Sequence, residues 1–408
     1  MQQTLVSSSD VGGRVRVLQL FSRYRNFGGE EGSVYRIGDA LHQSFDVGFF
    51  LTSSADAFSG GLIQQGLSVM KAFSNWSVVE QLKRYQELGG YNVWLIHNVF
   101  PAMSPAVYEL AFELKVPVVH YLHNYRMGCV NGFFMNQGEP CQTCMDGNFI
   151  KAFRTACWQE SHLKSGIMGM ITAKARGLGL FHRVSHWIAI SDAQKREHVA
   201  MGIPEDRITS IPHFYESGAS TSDCETGVGD ALFVGRLSAE KGVDRLILAW
   251  SLIQDCGRTL WIVGDGPERS RLEAMVREGN IGNVRFTGFL NHQQMAEIWA
   301  KSACSIVPSV WKEPFGMVVL EAWAKGRPVV AHRIGALSEI IKHEENGLLV
   351  SENSPPELAE AILSLLNNPT KAAEMGRAGS EKLAKKYCKN LWLGKIEKVL
   401  LEAATNQT

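Results

Sequence analysis

Ala231-Leu232-Phe233-Val234-Gly235-Arg236-Leu237-Ser238-Ala239-Glu240-Lys241-Gly242 reads as a buried strand, a tight loop and the approach to a helix. Four apolar residues in a row fit a strand covered on both faces, which is the pattern of a parallel sheet. Gly235 lets the backbone come close to a ligand, and the helix start that follows offers unpaired N–H groups to an anion. Arg236 adds a planar fork matched to phosphate, and Lys241 a compact charge.

Outward from this stretch the same grammar repeats. Apolar runs recur at Leu260–Val263, Val284–Phe286, Cys304–Val307 and Pro328–Ala331, with helix-compatible segments between them. Upstream, a first series opens with Val15–Leu20 and continues through Tyr91–His97, Pro117–Leu122 and Trp187–Ile190. Strands alternating with helices predict parallel βαβ units. The pattern lapses into Ser, Thr, Gly and Asp around 212–230, which sets a hinge between two α/β, doubly wound domains. In such sheets a ligand sits at the carboxyl ends of the strands.

Length agrees, because 408 residues exceed what one hydrophobic core usually serves. Lys plus Arg and Asp plus Glu are 41 each, so no global field draws the chain to nucleic acid. The polar N-terminus does not read as a signal peptide, and no apolar run reaches the about 18 residues of a spanning helix. A cytoplasmic location follows as the expectation.

A second constellation, Pro308-Ser309-Val310-Trp311-Lys312-Glu313-Pro314-Phe315-Gly316-Met317-Val318-Val319-Leu320-Glu321, also follows an apolar run. Gly316 at the loop-to-helix junction leaves the amides of Met317 and Val318 to bond phosphate or sugar oxygens. Glu321 lies about two helical turns beyond Glu313, so the two carboxylates can address different parts of one elongated ligand.

Gly235–Gly242 together with Glu313-x7-Glu321 resembles glycosyltransferase family 4, a retaining group with the GT-B fold. Gly264-Asp265-Gly266-Pro267, Arg327–Val330, Gly335–Glu339 and Asn346–Val350 look like the same family's second domain. The resemblance implies two facing Rossmann-like domains with a C-terminal helix crossing back to the first. An acceptor-side domain would span 1–212, with a cysteine-containing loop at 129–157. The nucleotide-sugar donor domain would span 228–380 and the crossing helix and tail 381–408, with Tyr387 and Trp392 as anchors.

It also implies roles. Arg236 and Lys241 would neutralise a diphosphate, Glu313 would bond the donor sugar, and Glu321 the ribose. Gly235, Phe315, Gly316, Met317 and Val318 would line the donor site, with Leu290 at the turn that meets the base. Gly28 and Gly29 resemble the family's first glycine loop beneath the phosphates. His123, at the end of a first-domain strand, would face the reacting sugar, in preference to His120 within the strand.

The expected reaction is retaining transfer from a nucleotide diphosphate sugar to a saccharide or lipid-linked acceptor, in polysaccharide or glycolipid synthesis. No Asp-x-Asp occurs, so turnover is expected to need no metal. A nucleotide-sugar epimerase, a GT-B phosphorylase and a non-catalytic nucleotide-sugar binding subunit share the same phosphate grip and remain alternatives. An oxidoreductase is disfavoured, since no Gly-x-Gly-x-x-Gly follows a strand.

Two features stand outside that scheme. Cys129-x11-Cys141-x2-Cys144-x12-Cys157 suits a structural tetrahedral zinc, with disulfides or free thiols as the alternatives. Residues 149–184 carry Lys151, Arg154, Lys164, Lys174, Arg176 and Arg183 against the single acid Glu160, interleaved with Phe, Trp, Ile and Met. Such a segment suits peripheral contact with the inner face of a membrane or a solvated helical face.

Overall fold

The computed structural model describes residues 13–23, 29–53, 70–216 and 229–405. Its strands form two six-stranded sheets. The first contains β1 (Arg16–Arg23), β2 (Asp46–Ser53), β3 (Val93–Ile96), β4 (Val118–Tyr121), β7 (His186–Ala189) and β8 (Ile208–Ser210), in the order β2-β1-β3-β4-β7-β8. Between β4 and β7 lies an antiparallel pair, β5 (Met135–Asn136) and β6 (Glu139–Pro140). The second sheet contains β9 (Asp230–Val234), β10 (Leu260–Val263), β11 (Val284–Gly288), β12 (Ser302–Val307), β13 (Val329–His332) and β14 (Gly347–Val350).

The second sheet runs β11-β10-β9-β12-β13-β14, and its neighbouring strands pair in parallel. Chain order therefore reverses between β9 and β12, so the loops leaving these neighbours diverge and open a crevice at their carboxyl ends. All six residues of β12 and all four of β13 are buried. Helices cover both faces, which is why these strands are continuously apolar instead of alternating. Trp250, Leu260, Ile262, Val330, Ile362 and Leu365 are each fully buried in the core that results.

By contacts the chain divides into two compact units. One comprises Met1–Tyr121, Gly177–Trp187 and Lys395–Thr408; the other comprises Leu122–Arg176 and Ile188–Gly394. The segment Leu122–Arg176, including the cysteine loop, thus groups with the second sheet. The last helix, Lys389–Thr405, is shared, with its portion from Lys395 grouped with the first unit. Tyr387 contacts Phe315 and Trp323, and Trp392 contacts Phe214, all within the second unit.

Candidate active site

Three loops stack at the crevice between β9 and β12. Gly264, at φ +127°, lies so close to Gly235 that an added Cβ would stand 1.9 Å from its carbonyl oxygen. A Cβ on Gly266 would stand 2.2 Å from the Leu237 oxygen. The Leu237 amide donates to the Asp265 carbonyl at 3.0 Å, and the Glu268 amide donates to the Leu237 carbonyl at 3.0 Å. Only glycine permits this approach, and it fixes the path of the Gly235–Gly242 loop.

On its other side the loop rests on the segment that follows β12. Gly242 has φ +64°, and a Cβ there would meet the Pro308 carbonyl oxygen at 2.0 Å. The Val310 amide donates to the Glu240 carbonyl at 3.0 Å. This packing brings Lys241 onto Glu313: its ammonium donates to the two carboxylate oxygens at 2.9 and 3.2 Å. The Trp311 indole N–H donates to the same carboxylate, and the Lys241 ammonium lies 5.4 Å from the Trp311 ring centroid. The Glu313 side chain is 9% exposed and that of Lys241 25%, so the carboxylate enters low-dielectric surroundings with its partners already in place.

Arg236 differs. It is exposed and makes no ion pair among the described residues, leaving its guanidinium available to a ligand. Gly316, at φ +100°, starts the helix Met317–Ala324 without a side-chain cap. The first-turn amides of such a helix have no partner within it. Phe315 is buried, while Met317, Val318 and Glu321 are half-buried. Leu290 is half-buried beside Phe289, whose side chain is 79% exposed at the turn after β11.

Contacts from other segments support this site. Gly335, at φ +53°, passes so close to Glu313 that a Cβ would lie 2.6 Å from both its backbone N and O. The Ala336 amide donates to the Glu313 carbonyl at 2.9 Å. Ser191 caps the helix Asp192–Ala200 by accepting from the Gln194 amide at 3.0 Å, and its hydroxyl donates to the Pro314 carbonyl at 2.7 Å. The Glu339 carboxylate accepts from the amides of Asp192 and Ala193, each at 2.9 Å, a favourable place for negative charge. Ser191 and Pro314, and Glu339 and the amides of Asp192 and Ala193, are more than a hundred residues apart, so no local pattern announces them.

His123 also joins this unit. Its ring stacks on His213 at 5.8 Å, and His213 meets Phe315 edge-on at 5.3 Å. Burial pushes the His123 imidazole down to about 3, so it is neutral at pH 7. His120 is instead packed inside β4, its Nδ1 hydrogen-bonded to the Tyr108 hydroxyl at 2.7 Å. Gly29 is the first residue of the helix Gly29–Leu41 in the first unit, whereas Gly28 lies outside the described residues.

A cavity of about 530 Å³ borders the site, lined among others by Tyr125, Trp311, Lys312, Arg333 and Gly335. Tyr125 is fully buried, and its hydroxyl has no hydrogen-bond partner among the described residues. Trp311 lines this cavity and also bonds Glu313.

The cysteine loop gathers its thiols. Cys157 is pushed up to about 11, by burial first and then by Cys129, Cys144 and Cys141 nearby. All four are free, and Cys129 donates to Asn131 Oδ1 at 3.0 Å. Among the described residues no group of three or more His, Cys, Asp or Glu is arranged to hold a metal ion.

Comparison with known proteins gives two family matches: Glycosyl transferases group 1 over residues 225–382 and Glycosyltransferase Family 4 over residues 27–217. An uncharacterized glycosyltransferase of Methanocaldococcus jannaschii, MJ1178, is 37% identical over 156 residues, 38% of this chain and 43% of that protein. A D-inositol 3-phosphate glycosyltransferase of Pseudarthrobacter chlorophenolicus is 29% identical over 310 residues, 74% of this chain and 69% of that protein. The chain spans 43%, 35% and 40% of the length of the first three curated relatives it matches.

Among solved structures, sucrose-phosphate synthase from Thermosynechococcus elongatus superposes with TM-score 0.70 at 20% identity, covering 95% of this chain and 99% of that one. Anabaena HepE in complex with UDP-glucose gives 0.67 at 18%, covering 95% and 99%. At these identities the likeness is one of fold, and the fold is GT-B.

Proposed function

The chain belongs to the group 1 and family 4 glycosyltransferases, and on that premise we propose that it transfers a sugar, with retention, from a nucleotide diphosphate donor to a saccharide or lipid-linked acceptor. The observation that carries this is the crevice at the chain-order reversal between β9 and β12. One of its loops presents Arg236 and Lys241, and the other Glu313 and the open amides after Gly316.

The bond from the sugar C1 to the phosphate oxygen breaks, and negative charge develops on the departing diphosphate. Fixed cations and helix amides stabilise that charge without reorganising. Arg236 and Lys241 supply the cations, and the amides of Met317 and Val318 the dipoles. Lys241 is shared between Glu313 and the incoming phosphate, so Glu313 keeps its lysine positioned while the Trp311 indole holds the carboxylate. Glu313 accepts from donor-sugar hydroxyls and Glu321 from the ribose. The acceptor hydroxyl attacks on the face the phosphate leaves, forms the new C1–O bond and gives its proton to the leaving phosphate oxygen. His123, neutral at working pH, orients the sugar by hydrogen bonding instead of supplying charge. The cavity beside Trp311 holds the acceptor.

UDP-glucose is the first donor to test. Slow release of UDP and free glucose without acceptor, faster release with acceptor, and an α-linked product would support the reading. An isomerised nucleotide sugar would indicate an epimerase, phosphate-dependent release of sugar phosphate a phosphorylase, and binding without turnover a non-catalytic subunit. If no nucleotide sugar binds, the proposal fails.

A further inference from the structure

We propose that the helices Ile150–Thr155 and His162–Gly177 form a docking face for an anionic lipid surface. The longer helix buries Ser165, Ile167, Met168, Gly169, Ile171, Thr172 and Ala175, so its other face should be polar if it merely met water. It is not. Leu163 and Met170, seven residues apart on one stripe, are 69% and 55% exposed, and Ala173 beside them is exposed too.

The shorter helix extends the stripe. Phe153 packs where a Cβ on Gly166 would stand, 2.9 Å away, and His162 Nδ1 bonds the Phe153 carbonyl at 2.6 Å. Gly166 thus admits the ring of Phe153, which remains 48% exposed beside Ile150 at 65%. Four of the chain's exposed large apolar side chains therefore fall on one small face, where single scattered ones would need no explanation.

Charge decides what covers it. Arg154, Lys164 and Lys174 lie along the same two helices, with Lys151 beside them paired to Asp146 at 2.9 Å, and the one acid in the connection between the helices is Glu160. A second copy would bring like charge against like charge across a two-fold interface. An anionic bilayer accepts the apolar stripe at its acyl boundary and the cations among its headgroups. Among the described residues no helix is long and apolar enough to cross a membrane, so the contact is one of lying on the surface. With the transferase reading, on which this consequence alone rests, the acceptor would be the lipid-linked one of the two classes.

The test is vesicle flotation of the full chain, with wild type and Leu163→Asp/Met170→Asp. Wild type should float with phosphatidylcholine vesicles containing phosphatidylglycerol and lose most of that binding in pure phosphatidylcholine or at high salt. The double variant should bind about tenfold less or weaker still, with unchanged unfolding midpoint and UDP affinity. Wild type that stays at the bottom, or a variant that floats equally, overturns the inference. So does a wild-type dimer, seen by sedimentation, that the variant abolishes. UDP affinity reads the transferase proposal separately: its absence sinks that proposal and leaves flotation to decide this one.

Discussion

Replacing Lys241 by Met should damage both the fold and the site, whereas replacing Arg236 should damage the site alone. The Lys241 ammonium bonds both oxygens of a carboxylate whose side chain is 9% exposed. Stripping the partner from a fully buried pair costs about 3–5 kcal/mol, because the remaining charge stays uncompensated. Lys241 is 25% exposed, and the Trp311 N–H remains on Glu313; discounting for both gives about 2 kcal/mol. Urea unfolding at constant m-value should register this loss. Adding Glu313→Gln to Lys241→Met should recover most of it, since the neutral amide still accepts from Trp311. Arg236→Met should stay within about 0.5 kcal/mol of wild type, as exposed unpaired positions do. Calorimetric titration with UDP should show both single variants weakened by about tenfold or more, the worth of a charge-assisted phosphate contact. A Lys241→Met protein as stable as wild type, or a double variant less stable than the single, would refute the reasoning.

Acid should destabilise the chain before its carboxylates titrate. Burial lowers His123 to about 3 and His198 to about 4, so the unfolded chain binds more protons near pH 5 and stability rises with pH there. Between pH 7 and pH 5 the two together should remove about 3 kcal/mol, and His198→Phe, which can keep the ring contact with Tyr125, should roughly halve the slope of stability against pH. Gly335→Ala places a Cβ 2.6 Å from the Glu313 backbone at φ +53°; a loss of about 2 kcal/mol or more is expected by urea unfolding, with weaker UDP binding. Chelation should leave turnover unchanged, and activity abolished by EDTA and restored by manganese would contradict the metal-free reaction.

What the sequence disclosed follows from how parallel sheets are buried. Ala231–Val234, Leu260–Val263 and Cys304–Val307 are visible because strands covered on both faces are continuously apolar. β2, mostly part-exposed along its length, and β8, three residues long, carry too little of that pattern. The Gly235–Gly242 and Glu313–Glu321 loops were legible because glycine, cation and helix start are adjacent in the chain. Ser191 on Pro314, Glu339 on the amides of Asp192 and Ala193, and His213 between His123 and Phe315 were not, since each is a meeting of distant segments. The grouping of residues 122–176 with the second sheet has the same origin: composition marks a linker at 212–230, but contacts decide what packs together.

The bonds from Ser191 to Pro314 and from Asp192 and Ala193 to Glu339 bear on recombination. A chimaera cut at the polar stretch 217–228 would leave each parent's nucleotide half facing a foreign Ser191–Ala200 segment. Exchange of donor preference between relatives should therefore succeed when that segment and the strand-end residues from His123 travel with the nucleotide half, and fail when the linker alone sets the crossover.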